Sequence, residues 1–155
     1  MKRTLMAGGW LLAMATMATA QGTTQGTAPV IDMVKQASCG CCGGWAVAMQ
    51  EAGFTVNVQN VSDDELYTAK EASGFSEELW ACHTASIAGY TIEGHVPAAD
   101  IERLLAERPV ALGIATPGMP AGSPGMDFGD ARQAFDVILV NPDGSQQVYA
   151  SYSGT

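Results

Sequence analysis

Three of the four cysteines in this 155-residue chain fall within four positions, Cys39-Gly40-Cys41-Cys42, and the fourth, Cys82, stands next to His83. A strand-like run, residues 30–36, leads into the cluster, and a helix-like run, residues 45–52, leads out of it. A helix start offers unpaired N–H groups and the positive end of a dipole, and both favour thiolate over thiol. Sulfur so placed can do redox chemistry, hold metal, or pair as disulfides. Cys39 and Cys42 have the C-x-x-C spacing of a redox pair. Cys41 and Cys42 are neighbours, and a ring closed between neighbours is strained. On an extended chain their side chains diverge, which serves a single ion poorly but suits bridging between ions. Thiolate and thioether favour Cu(I), whereas imidazole serves copper and zinc alike. Structural zinc sites use two separated C-x₂₋₄-C arms, while here one arm holds three cysteines and the other holds one. The spacing therefore fits a polynuclear Cu(I) site better than a single zinc.

The rest of the chain must bring Cys82 to the other three. In the first helix Trp45, Ala48, Met49 and Ala52 form the apolar stripe, and Gly53 supplies the left-handed stop. Residues 54–58 alternate as a second strand. Ser62-Asp63-Asp64-Glu65 is a capping box that opens a second helix, with Leu66 and Ala69 inward and Gly74 at its end. A connector, residues 75–81, leads to a third strand at 84–88, and Gly89 turns the chain into a fourth at 90–93. Pro97 suits the first turn of a third helix, which buries Ile101, Leu104 and Leu105 and stops before Pro109. The expected class is α/β, with a β-α-β-α-β-β-α core. Cysteines at the first strand–helix turn make this a thioredoxin-like order. In such a fold the loop before the third strand and the end of the fourth reach the cysteine turn, carrying Cys82, His83 and His95 there. Beyond the core lies a loop, residues 117–126, in which Pro-Gly-Met occurs twice. A hairpin follows, residues 135–140 and 147–152, turning at Asn141-Pro142-Asp143-Gly144 and extending the sheet.

Composition narrows the function classes. Lys2-Arg3, an apolar run over residues 5–18 and Ala18-Thr19-Ala20 read as a secretory signal peptide, residues 1–20. The run is too short to span a membrane comfortably. Residues 21–29 read as a disordered lead-in, and residues 30–152 as one domain. Once the leader is cleaved, five Lys+Arg face 16 Asp+Glu, a net charge of about −11. Such a surface repels phosphate backbones and anionic lipid, so neither nucleic acid nor membrane is an expected partner of the mature chain. No paired carboxylates, Ser-His-Asp set or phosphate-binding loop is visible.

Several of these residues also have plain readings. Cys39 and Cys42 can form a structural disulfide, and Cys82 can be an inert core thiol. His83 can be a satisfied core histidine. His95, after Glu93-Gly94, reads more readily as a surface residue than as a ligand. Met119 and Met126 are apolar plugs or soft ligands, while Met33, Met49 and Trp45 read as core. Binding of several Cu(I) ions, with electrons cycled between copper and the thiols, is the first reading; the rival functions are a thiol–disulfide oxidoreductase using Cys39 and Cys42, and a zinc- or disulfide-stabilised interaction domain.

Four motifs in one order, Cys39-Gly40-Cys41-Cys42-x-x-Trp45, Cys82-His83-Thr84, Gly89-Tyr90-x-x-Glu93-Gly94-His95-Val96-Pro97 and the 117–126 loop, resemble the CopG-type copper-resistance proteins, formerly labelled predicted metal-binding. Ala37 departs from the pattern, since relatives often carry proline there. The resemblance implies a thioredoxin-like fold and a cysteine-bridged cluster of several Cu(I) ions on Cys39, Cys41, Cys42 and Cys82. His83, His95, Met119 and Met126 match as auxiliary ligand candidates. It implies further a periplasmic role in copper handling, with copper ions and other periplasmic copper-handling proteins as partners.

Overall fold

The computed structural model describes residues 29–155; the expected signal peptide and all but the last residue of the lead-in lie outside them. The elements run β1 (Val30–Gln36), α1 (Gly40–Glu51), β2 (Thr55–Val61), α2 (Asp63–Ala72), a 3-10 turn (Glu77–Leu79), β3 (His83–Ile87), β4 (Tyr90–Gly94), α3 (Ala98–Glu107), β5 (Gly113–Thr116), β6 (Phe135–Val140) and β7 (Gln146–Tyr152). Through α3 this is the expected succession of strands and helices. All seven strands form one sheet, ordered β2-β1-β3-β4-β5-β6-β7. The β1–β2 and β4–β5 pairs are parallel and the rest antiparallel.

The terminal hairpin joins the sheet through β5, which the sequence reading missed. It has only four residues, and all are buried, so neither length nor alternation marks it as a strand. The first helix also differs from expectation. It starts at Gly40 rather than near Trp45, so Cys41 and Cys42 sit in its first turn and not on an extended chain. Gly43 and Gly44 disfavour helix by propensity, yet Gly44 is tightly packed: a Cβ there would lie 3.1 Å from the Gly125 Cα.

Alternation along the strands separates two cores. On one face Ile31, Met33, Ala85, Ile92, Ile114 and Leu139 pack with Trp45 and Met49 of α1 and Ile101 and Leu104 of α3. On the other, Phe75, Leu79, Ala115 and Val140 form a smaller cluster beyond α2. Between α2 and the sheet lies a buried ion pair, Lys70 with Glu93. Glu93 also accepts from the Ala81 N–H at 2.7 Å and the Thr84 hydroxyl at 2.6 Å. A buried charge is tolerated only when paired and hydrogen-bonded. Here the pairing anchors the segment leading into Cys82.

Removing one partner leaves the other buried and unpaired. Glu93→Leu is expected to lower unfolding free energy by about 3–5 kcal/mol, and the Lys70→Met/Glu93→Leu double variant to recover most of that loss. Urea unfolding of the three proteins checks both statements.

Candidate metal centre

The centre is assembled by one strand register. β1 and β3 pair antiparallel with Lys35 opposite His83. That register sets the residue before β3, Cys82, beside the turn joining β1 to α1. Cys39 is the N-cap of α1; no side chain caps the helix, and no acid lies in its first turn. The positive end of the helix thus faces the cysteines uncompensated.

The four sulfur atoms lie within 4.8 Å of one another. The Cys42 Sγ is 3.2 Å from that of Cys82, Cys41 is 3.9 Å from Cys82, and Cys39 is 3.5 Å from Cys41. Cys39 and Cys42 are joined as a disulfide, and Cys41 and Cys82 are free thiols. Two thiolates sharing one ion at a metal–sulfur bond of about 2.3 Å sit roughly 3.8–4.6 Å apart. The Cys41–Cys82 separation already falls in that range, while Cys42–Cys82 and Cys39–Cys41 are tighter; opening the disulfide would let the sulfurs spread and complete a four-thiolate donor set.

Both histidines reach this cluster. The His95 Nε2 is 3.1 Å from the Cys82 sulfur, and its Nδ1 is 2.8 Å from the Pro124 carbonyl. That carbonyl can only accept, so the proton belongs on Nδ1 and the Nε2 lone pair faces the sulfur. His95 is fully buried, which corrects its reading as a surface residue. Gly94 makes this possible. It has φ +72°, and a Cβ there would lie 2.6 Å from both the Ala81 Cβ and the Thr116 carbonyl oxygen, so only glycine lets this strand end close on the Cys82 segment. His83 is buried too, with Nδ1 3.6 Å from the Cys82 sulfur and Nε2 without a hydrogen-bond partner. Its ring packs against Trp45 at 4.6 Å between centroids and edge-on to His95 at 5.1 Å. Trp45 in turn donates its indole N–H to the Val96 carbonyl at 2.9 Å, tying α1 to the strand end that carries His95.

Burial dominates the electrostatics. It pushes the Cys82 thiol up to about 12, with the neighbouring Cys41 adding to the rise. It holds His83 well below the usual imidazole range, helped by His95 and Lys70, and lowers His95 as well. Neutral imidazoles are competent ligands, whereas Cys82 must surrender a proton to whatever it binds.

The loop methionines divide. Met126 is half-buried and follows Gly125, whose bare Cα lies against α1: a Cβ there would lie 2.4 Å from the Trp45 nitrogen and 2.5 Å from the Cys41 carbonyl oxygen. Met119 is about half exposed and lines a cleft with Pro117, Pro120 and Phe135 in which no cysteine takes part. Lys35 was missed altogether. It is buried, and its ammonium donates to the carbonyls of Gln36 at 2.8 Å and Cys39 at 3.2 Å. The period-two run Ile31, Met33, Lys35 was the available signal, since it puts a lysine on the inward face.

Fold and site together define a small α/β protein with a sulfur-rich candidate metal centre. Residues 79–126, which hold Cys82, both histidines and both loop methionines, match the family described as "Protein of unknown function, DUF411". Among curated proteins nothing matches the chain. Two solved structures are similar along nearly their whole length. "Copper resistance protein copG", Form 1, is 40% identical with a TM-score of 0.77, covering 83% of this chain and 100% of that one. Form 2 is 40% identical with a TM-score of 0.76, covering 81% and 99%. The chain belongs to the CopG-type copper-resistance family.

Gly125 has φ +79° and abuts backbone it cannot move. Gly125→Ala is expected to lift the loop from α1, releasing the Pro124 carbonyl from His95, and to cost about 2–4 kcal/mol. Denaturant unfolding reads the loss, and ¹⁵N NMR of the His95 ring reads the freed tautomer.

Proposed function

We propose that this protein is exported and sequesters copper. Several Cu(I) ions enter one cluster bridged by the thiolates of Cys39, Cys41, Cys42 and Cys82, lowering free copper in the periplasm. The observation that carries this reading is the convergence of four sulfurs within 4.8 Å from two segments about 40 residues apart. The chemistry agrees, because soft sulfur donors backed by neutral imidazole favour Cu(I) over harder ions. Likeness to copper resistance proteins supports the same cargo. His83 and His95 are the nearest auxiliary donors, and Met126 sits at the loop that closes over α1. Met119 suits transfer of copper at the surface, to a further copper-handling protein, better than cluster ligation. Loading starts with reduction of the Cys39–Cys42 bond by an external dithiol, which supplies two electrons and becomes a disulfide. Export rests on the signal-like residues 1–20. The element order, with cysteines at the first strand–helix junction, supports a thioredoxin-like core that β5, β6 and β7 extend.

The disulfide between Cys39 and Cys42 favours a second reading, a thiol–disulfide oxidoreductase using that pair. Cu(I) titration of the reduced mature chain against a competing chelator separates the two. More than one tightly held ion per chain is expected, and Cys82→Ser is expected to reduce that number. One ion or fewer, together with insulin reduction by copper-free Cys41→Ser at the wild-type rate, would leave the oxidoreductase reading standing instead.

A further inference from the structure

The disulfide of the cluster has a free thiol against each end. The Cys82 sulfur lies 3.2 Å from the Cys42 sulfur, and the Cys41 sulfur lies 3.5 Å from that of Cys39. Reacting atoms about 3–3.5 Å apart are at near-attack separation, and disulfides exchange by attack of one sulfur on another. The approach of Cys82 to Cys42 is the closer of the two and spans about 40 residues of chain. The opposite sulfur, Cys39, is the half-buried N-cap of α1, where nothing caps the helix and the Lys35 ammonium sits on the Cys39 carbonyl. That is a favourable place for a departing thiolate.

From this arrangement we infer that the metal-free protein carries out an internal disulfide exchange, converting the Cys39–Cys42 bond into a Cys42–Cys82 bond. The Cys82 sulfur bonds to the Cys42 sulfur as the Cys39–Cys42 bond breaks, and Cys39 leaves with the electron pair. The proton lost from the Cys82 sulfur ends on the departing Cys39 sulfur. Atoms and electrons balance without an outside oxidant or reductant. The exchange closes a longer loop, which restricts the unfolded chain more. It also frees Cys39 beside Cys41. The oxidised chain then presents a C-x-C pair of thiols at a helix start, a two-sulfur Cu(I) site available before any reductant arrives. None of this requires the polynuclear cluster, so the two ideas fail separately: one is read on reduced protein, the other on oxidised protein.

Cleavage after Lys35, Lys70 and Arg103 puts Cys39, Cys41 and Cys42 on one fragment and Cys82 on another. Metal-free, air-oxidised protein is trapped under native conditions with a fast maleimide in acid, then digested and mapped by mass spectrometry without reduction. The expected result is a joined pair of these fragments, with Cys39 alkylated, in at least a few per cent of wild-type chains. The pair persists in Cys41→Ser, becomes the main species in Cys39→Ser, and disappears in Cys82→Ser. Anaerobic Cu(I) titration of the oxidised wild type is expected to find one ion held at least tenfold more tightly than in oxidised Cys82→Ser. The inference is overturned if the pair is absent from native wild type while forming in a urea-unfolded control, or if it vanishes in Cys41→Ser, which would make Cys41 the partner of Cys82.

Discussion

The centre depends on the antiparallel pairing of β1 with β3. Cys82 lies about 40 residues from the other cysteines, and only the placement of Lys35 opposite His83 sets it beside them. A slip of one residue would turn His83 to the α2 face of the sheet and carry Cys82 away from the cysteine turn, because side chains alternate with period two. Two features hold the register from behind. The buried pair Lys70–Glu93 ties α2 to β4 and, through the Ala81 N–H, to the segment before β3. Trp45 ties α1 to the chain just after β4 through the Val96 carbonyl. The site is therefore supported from both faces of the sheet and does not rest on loops alone.

Charge placement follows the same logic. The chain is strongly acidic, yet among the described residues Lys35 and Lys70 are buried, Lys35 beside the cysteine turn, and the acids mostly face water. Lys70 has a carboxylate, whereas Lys35 has only carbonyl oxygens, at 2.8 and 3.2 Å. Among the described residues no carboxylate pairs with that ammonium. It makes sense beside a cluster that gains negative charge when the disulfide opens, since an ammonium and an uncapped helix start both favour thiolate. Burial works in the other direction at Cys82, pushing its thiol up to about 12. The cysteines thus differ in surroundings: Cys39 lies at the uncapped helix start beside Lys35, whereas burial favours the thiol form of Cys82.

Much of this was legible in the residues. An apolar run, a period-two run, a capping box and the Asn141-Pro142-Asp143-Gly144 turn located β1, β2, α2 and the terminal hairpin, and the order of elements brought Cys82 and the histidines to the cysteine turn. What escaped notice has physical causes. β5 is four residues long and buried, so it lacks the alternation that marks a half-exposed strand. α1 starts earlier than its glycines suggest, and one of them serves packing: Gly44 lies against Gly125, a contact between residues far apart in the chain that propensity cannot register. His95 looked like surface because it follows Glu93-Gly94, but Gly94 folds it inward and Pro124, 29 residues on, supplies its hydrogen bond. The Lys70–Glu93 pair likewise joins a helix to a strand with no local signature.

A donor set made of sulfur alone cannot separate redox state from metal capacity. Each disulfide removes two ligands, so the number of thiolates available in this cluster is four, two or none according to how many electron pairs it holds. Imidazole is exempt from that coupling. With His95 locked by the Pro124 carbonyl and His83 buried neutral with a free Nε2, two nitrogen donors persist whatever the cysteines are doing. The arrangement places oxidation-sensitive and oxidation-indifferent donors around one atom, the Cys82 sulfur, which touches both sets. Any change in how that sulfur is bonded, to hydrogen, to Cys42 or to metal, is therefore felt by every other donor in the centre.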